Sequence, residues 1–159
     1  MYKIGYGFDA HRFSKDAKLT IGGVDIPFEL GLKGHSDADV LSHALCDALL
    51  GALGEGDIGS YFPDSDPKYK GMSSLVFLKE TIKLLNEKGF EIENLDSVIV
   101  CEKPKLAPHI EQIKETLSQT LGISPESLGI KATTTDQMGF TGTGEGIAAH
   151  AVALVKTRD

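Results

Sequence analysis

The stretch GHSDADVLSHALCDALLGALGEGDIG, residues 34–59, decides how the chain folds. Val40, Leu41, Ala44, Leu45, Ala48, Leu49, Ala52 and Leu53 recur at helical spacing and predict an amphipathic helix with a wide apolar face. Ser36 with Asp39 three residues later reads as a capping-box-like start, and Asp37 and Asp39 place negative charge where a helix N-terminus favours it. Gly54 and Gly56 end the helix. On its other face Asp39, His43 and Asp47 form one i, i+4 row, and carboxylates one turn away orient an imidazole and make it more basic, the support metal-binding histidines receive. A solvated polar face that contains a histidine is the plainer alternative and stays open.

Upstream, residues 2–8 alternate polar and apolar and predict a strand, with Gly5 and Gly7 allowing close backbone approach. It delivers Asp9 and His11 at its end. Residues 19–28, LTIGGVDIPF, predict two short strands around Gly22 and Gly23. Downstream, GDIGSYFPDSDPKYKGMSS is a long Gly/Pro/Asp/Ser loop without periodicity, of a length more often functional than decorative. Residues 74–88 predict a second amphipathic helix, with Leu75, Leu78, Ile82 and Leu85 on one side and Gly89 as its stop. Residues 95–101 predict a strand. A third helix ends at Gly122, and Ser124-Pro125-Glu126 forms a turn. Residues 130–134 predict a strand that runs into a Thr/Gly loop, and residues 147–156 a terminal strand. With no repeat or linker, the expectation is a mixed α+β fold forming a single domain over 1–159, its mixed sheet covered by helices on one face.

The bulk numbers exclude several classes. The 159 residues suit one domain with a real core, and 41% hydrophobic with 25% charged residues is ordinary for a globular chain. A net charge of −7 argues against wrapping nucleic acid, though local backbone N–H groups, a few cations or metal ions can still hold phosphates. No apolar run suits a bilayer and MYKIGYGFDAH is not a signal peptide, so no membrane partner is expected. Cys46 and Cys101, without a CxxC or a disulfide-dense pattern, fit structural thiols in a reducing cytoplasm.

Asp9 and His11, two apart on a strand, share a face. With His43 they would make a two-histidine, one-carboxylate set suited to zinc with the fourth tetrahedral position open, although D-x-H alone is a common spacing. TGTGEG could be an anion nest or simply a turn; it is neither a Walker A loop nor a dinucleotide fingerprint. Thr133, Thr134, Thr135 and Asp136 offer hydroxyls and a carboxylate, or form a strand with one wet edge. His35 could donate to a phosphate, whereas His109 and His150 read as structural. No nucleophile elbow or Cys/His nucleophile context is present.

The order GFDAHRF, then the segment from GGVDIPFELGLKGHSDADVLSHALCDALL to FPDSDPKYKG, then EKPKLAPH, then KATTTDQMGFTGTGEGI resembles the 2-C-methyl-D-erythritol 2,4-cyclodiphosphate synthase family of the non-mevalonate isoprenoid route. The likeness runs essentially end to end, and its motifs are specific in combination. It implies a homotrimer with an active site at each subunit interface. Asp9, His11 and His43 would be the zinc ligands, with Asp9 and His11 also bordering the substrate. His35 and Ser36 would contact its phosphates, and His35 and Thr134 would stabilise the transition state. Asp57, Ile58, Gly59, Phe62, Pro63, Asp64, Ser65 and Asp66 match the flexible loop around the methylerythritol part. Cys101, Lys105, Leu106 and Ala107 match a cytidine pocket contributed by the neighbouring subunit. Thr133, Thr134, Thr135, Asp136 and Phe140 match the end of the site that holds the diphosphate and a second divalent ion, Mg2+ or Mn2+. Two positions depart from the family pattern. Asp136 stands where glutamate is common on the second metal, and Thr143 where many members carry arginine near the phosphates.

The resemblance implies a CMP-releasing lyase acting on 4-diphosphocytidyl-2-C-methyl-D-erythritol 2-phosphate, whose 2-phosphate attacks the β-phosphorus. An anionic phosphate needs no general base, which agrees with the missing nucleophile–base pair. What such a reaction needs is ring-closing geometry and positive charge. The alternatives are a zinc-dependent phosphohydrolase and a trimeric binding module with structural zinc.

Overall fold

The small side chains along two strands explain how the helix at residues 40–53 is accommodated. The computed structural model describes residues 1–159. Its five-stranded sheet has the order β4-β1-β7-β5-β6, with β1 Tyr2–Ser14, β4 Gly31–Leu32, β5 Phe90–Val100, β6 Leu128–Thr133 and β7 Gly146–Thr157. The β5–β6 pair is parallel and the others antiparallel, so the sheet is mixed, as expected. Where β1 meets β7, Gly5 pairs with Ala153, Gly7 with Ala151 and Asp9 with Ala149. That row of small residues lets helix α1, Val40–Leu53, lie against the sheet backbone. A methyl group at Gly5 or Gly7 would collide with the carbonyl oxygens of Ala48 or Ala44.

Helix α1 is consequently buried almost all round, between the sheet and helix α3, Ser74–Glu87. Helix α4, Ile110–Leu121, packs beside α3 and over the hairpin of β2, Leu19–Ile21, and β3, Val24–Ile26. One contiguous core of 32 buried residues joins all these elements. The helices cover one face of the sheet. The other face is bare and apolar: Ile4 is 72% exposed, Tyr2 63% and Tyr6 60%, with Phe8 and Val152 beside them. No helix is long and apolar enough to cross a membrane.

Several boundaries differ from the sequence expectation. Strand β1 continues to Ser14, so Asp9 and His11 lie inside it and not at its end; pairing with β7 as far as Arg12 carries it past the alternating stretch. Strand β5 begins at Phe90, and it accommodates an irregular register between Ile92 and Asn94 that blurs the alternation. The long loop contains a short helix α2, Ile58–Tyr61, and a 3-10 turn, Pro67–Tyr69, each capped by an aspartate side chain. The Thr/Gly loop folds its residues Gly139–Gly142 into one further helical turn, α5. The buried face of α3 is Ser74, Phe77, Leu78, Thr81 and Leu85, rotated from the expected stripe so that Leu75 and Ile82 sit at its margin. The true cap of α1 is Asp39, whose side chain accepts from the Ser42 amide; Ser36 lies outside the helix. Gly54 ends α1 at φ 73°, a left-handed cap that glycine adopts without strain.

Candidate functional site

The central helix and first strand bring three ligand-type atoms together. Asp9 Oδ2 lies 2.8 Å from His11 Nε2 and 3.1 Å from His43 Nδ1, and the two ring nitrogens are 3.3 Å apart. The strand sets Asp9 and His11 on the helix-covered face, and the tight seat of α1 on Gly7 aims His43 at them. The other ring atom of each histidine is held: His11 Nδ1 is 2.9 Å from the Lys33 carbonyl, and His43 Nε2 is 2.8 Å from Ser74 Oγ. A carbonyl can only accept, so His11 gives it the Nδ1 proton; towards Asp9 the neutral ring then turns its Nε2 lone pair and the protonated ring its Nε2–H. Two imidazoles and one carboxylate converging on one point form a donor set that fits a divalent cation.

The electrostatics agree with a charge-seeking cluster. Burial opposes ionisation of Asp9, but hydrogen bonds and charge from His11 and His43 outweigh it and hold the carboxyl below its usual range. Burial likewise disfavours a charged His11, yet the bond to Asp9 and its charge, with the Lys33 carbonyl, raise that ring above its ordinary value. Contrary to expectation, neither carboxylate in the row along α1 bonds the His43 ring. Asp39 turns away to accept from Gly22 N at 2.9 Å, Gly23 N at 2.7 Å, and the Ser42 amide and hydroxyl. Asp47 accepts from the Ile58 amide at 2.7 Å and so anchors the start of the Gly/Pro/Asp loop. The i, i+4 row is real, but the capping demand on one acid and the loop amide on the other are stronger claims than the imidazole.

A cleft of about 310 Å³ opens over the triad. Around it stand His35, Ser36, Ile58, Gly59, Phe62, Pro63 and Asp64 from the expected set, together with Gly34, Tyr69 and Phe77. His35 Nε2 is 2.9 Å from the Asp66 carbonyl, and the Gly71 amide donates to the His35 carbonyl at 2.8 Å, so this histidine is threaded through the loop. Phe62 stacks on Phe77 at 4.5 Å with Tyr69 edge-on to both, seating the loop on α3. Asp57, Ser65 and Asp66 belong to the same loop without lining the cleft; the Asp57 and Asp66 carboxylates cap its two short turns.

The remaining expected residues gather elsewhere. Cys101, Lys105, Leu106 and Ala107 follow β5, and Thr133, Thr134, Thr135 and Asp136 close β6; the two segments are tied by the Cys101 amide donating to the Thr133 carbonyl at 2.9 Å. Lys105, Ala107, Thr133, Thr134, Asp136, Phe140 and Thr143 are exposed, whereas Leu106 is buried in the core and can offer a ligand only its backbone. Burial, with the charge of Glu102, leaves the Cys101 thiol pushed up to about 12, and burial takes Cys46 higher still, so both are inert buried thiols. Asp136 and Gln137 both take positive φ, 51° and 65°. This second cluster is at the same end of the sheet as the triad, but β7 and β5 stand between β1 and β6, roughly 14 Å at about 4.8 Å per strand. Within one chain the two clusters do not share a cleft. Of the histidines read as structural, His150 accepts or donates to the Tyr6 hydroxyl at 2.7 Å on the bare sheet face.

Sequence reasoning missed Ser74, Asp37, Tyr69 and Phe77 as parts of this site. Ser74 and Phe77 were hidden in an ordinary helical stripe; only the polar residue on that stripe, facing another helix with a histidine, hinted at a contact.

Fold and site together define an α+β protein with an open candidate divalent-metal centre beside an aromatic-seated loop. Comparison with known proteins makes this specific. The YgbB family model matches residues 2–156, and the chain belongs to that family. It is 54% identical over 98% of its length to the 2-C-methyl-D-erythritol 2,4-cyclodiphosphate synthase of Syntrophotalea carbinolica, covering 94% of that protein. The Geobacter sulfurreducens protein of the same name is 53% identical over 98% of this chain and 99% of its own. Among solved structures, the bifunctional IspDF of Campylobacter jejuni superposes with a TM-score of 0.96 at 40% identity, over 100% of this chain and 43% of that longer one. A CDP-bound 2C-methyl-D-erythritol-2,4-cyclodiphosphate synthase gives 0.89 at 36% identity, over 97% of this chain and 100% of its own.

Proposed function

We propose that this protein is a cyclodiphosphate synthase, a phosphorus–oxygen lyase of isoprenoid precursor biosynthesis. It converts 4-diphosphocytidyl-2-C-methyl-D-erythritol 2-phosphate into 2-C-methyl-D-erythritol 2,4-cyclodiphosphate and CMP. The observation that carries this reading is the Asp9–His11–His43 cluster opening into a cleft, in a chain more than half identical, over nearly its full length, to proteins bearing that name. The bond that forms joins the substrate's 2-phosphate oxygen to the β-phosphorus, and the bond that breaks frees CMP with its electron pair.

The chain's residues have the parts that this displacement requires. Asp9, His11 and His43 are suited to hold one zinc ion; when bound, it supplies Lewis-acid charge for a phosphoryl oxygen. His35 and the Ser36 hydroxyl border the same cleft; Ser36 can donate to phosphate, and His35 would do so from Nδ1, since its Nε2–H serves the Asp66 carbonyl. The loop that carries Ile58, Gly59, Phe62, Pro63 and Asp64 closes the cleft's side and orients the methylerythritol part. Lys105, with Cys101, Leu106 and Ala107, would hold the cytidine, and Thr134 would donate to the diphosphate beside Thr133, Thr135, Phe140 and Thr143. Asp136 would bind a second cation, Mg2+ or Mn2+; being shorter than glutamate, it would reach that ion through a shift or a water.

The two clusters lie on different strands of one chain, and a bare apolar face runs along the sheet. Both facts favour a homotrimer in which one subunit's triad meets its neighbour's Lys105–Asp136 region, within a cytoplasmic enzyme that engages neither membrane nor nucleic acid. The deciding experiment incubates zinc- and magnesium-loaded protein with the substrate and follows CMP by chromatography and the products by phosphorus NMR. A cyclic diphosphate is expected, and a chelator should abolish it while leaving the circular dichroism spectrum unchanged. Open-chain monophosphates would mark a phosphohydrolase, and no CMP release would overturn the assignment.

A further inference from the structure

We propose that Ser74 and Asp37 are positioning residues that lock His43 into the tautomer whose Nδ1 lone pair faces Asp9 and His11. This rests on reading the triad as a metal centre. Ser74, at the start of α3, is fully buried, and its Oγ lies 2.8 Å from His43 Nε2. That hydroxyl has a single proton, and Asp37 takes it in a short hydrogen bond, while the Ser74 amide donates to the other Asp37 oxygen at 3.0 Å. An ionised carboxylate accepts only, so the direction of the relay is set: Ser74 Oγ has only lone pairs left to offer His43. His43 therefore meets Ser74 with a proton on Nε2, against the pull of Asp9 Oδ2, an acceptor 3.1 Å from Nδ1, and Nδ1 is left bare for a cation.

A second hydroxyl makes the assignment consequential. Ser36 Oγ lies 3.2 Å from the same Nε2 atom, and a serine donating there would drive the proton to Nδ1 and spoil the ligand. Because the Asp37–Ser74 pair claims the Nε2 proton, the Ser36 hydroxyl keeps its own proton for an anion in the cleft. The relay also joins the loop to the centre. The Asp37 amide donates to the Met72 carbonyl at 3.1 Å, just where the loop runs into α3. Carboxylate–histidine pairs commonly orient metal ligands from behind, and here a buried serine is interposed.

Two measurements test this, both made at pH 8. The first is 15N NMR of histidine-labelled, metal-free protein, where the two nitrogens of His43 report which one bears the proton. The second is zinc affinity by competition with a chromophoric chelator. Wild type should show protonated Nε2. Asp37→Ala, which frees the Ser74 proton to donate, should shift His43 towards protonated Nδ1; Ser74→Ala should give a mixture. Each should weaken zinc binding about 10–100-fold, and Ser74→Thr should restore both readouts. A folded Ser74→Ala protein with an unchanged tautomer and zinc affinity within about twofold of wild type would overturn the role, since a merely structural serine shifts only the melting temperature. Wild-type protein that binds no zinc would instead overturn the metal reading, and the NMR result would still decide what Ser74 does.

Discussion

Replacing Gly7 by alanine should damage the triad although Gly7 touches none of its three members. A methyl group there would lie 2.7 Å from the Ala48 amide nitrogen and closer still to the Ala44 carbonyl oxygen, both on the backbone of α1. Ordinary contact begins near 3.4 Å, so clearing the nitrogen takes about 0.7 Å and clearing the nearer carbonyl oxygen about twice that, and backbone cannot rotate away as a side chain could. Overpacking of this kind costs about 1–3 kcal/mol, a fall in melting temperature of roughly 2–12 °C for a chain of this size. The sharper consequence is geometric. His43 precedes Ala44, so the same displacement separates its Nδ1 from Asp9, and metal–ligand distances tolerate only about 0.2 Å. Zinc affinity measured by chelator competition should drop at least about tenfold, alongside a thermal melt. Gly51→Ala is the control: its methyl would sit 3.6 Å from the Tyr6 carbonyl oxygen, an ordinary van der Waals contact, so stability should rise by the helix propensity gained, about 0.5–1 kcal/mol, with affinity unchanged. A folded Gly7→Ala protein that binds zinc as tightly as wild type would refute the idea that close strand–helix contact sets the site.

Three further outcomes follow from the same geometry. Asp39→Ala removes the cap of α1 and leaves the buried or half-buried amides of Gly22 and Gly23 without a partner; it should destabilise by roughly 3–6 kcal/mol, with the β2–β3 hairpin amides losing hydrogen-exchange protection. In metal-free protein His11 is raised, so its contribution is complete below its unfolded value near 6.5 and is lost as pH climbs through the folded one; Asp9 is lowered, so its contribution is lost as pH falls below about 3.8. Thermal melts should therefore weaken from pH 6 to 8 without metal while zinc affinity grows over the same interval, because ligands must shed protons; melts that improve with pH would contradict the Asp9–His11 pairing. Finally, His43→Ala and Lys105→Ala subunits, each inactive alone, should recover about one active site in four when co-expressed at equal levels, if each site draws on two chains of a symmetric oligomer. No recovery in mixed oligomers would place both clusters' work within one chain.

The legibility of the fold was uneven for physical reasons. Periodicity made α1, α3, α4 and the terminal strand readable, because each buries a face whose spacing is local. It failed at Glu91, Glu93 and Asn94, where an irregular register breaks the alternation, and at Ala10 and Arg12, which extend β1 only because β7 pairs with them. At the site, Asp9 and His11 share a face by strand geometry alone, His43 joined them as a candidate by residue type, and the family likeness agreed with that set. Which acids serve His43 was not legible: Asp39 and Asp47 stand at the right spacing along α1, yet the hairpin amides and the Ile58 amide claim them.

The sequence by itself determined the α+β class, the two histidines and the carboxylate as candidates, and the loop beside them, since these follow from residue type and near-neighbour spacing. Only the tertiary structure decided that Gly7 lets α1 close on β1, that Ser74 and Asp37 stand behind His43, and that the Lys105–Asp136 cluster lies across the sheet from the triad's own cleft. Those are contacts between residues distant in the chain, fixed by how backbones pack and which buried donors find acceptors, and no local pattern encodes them.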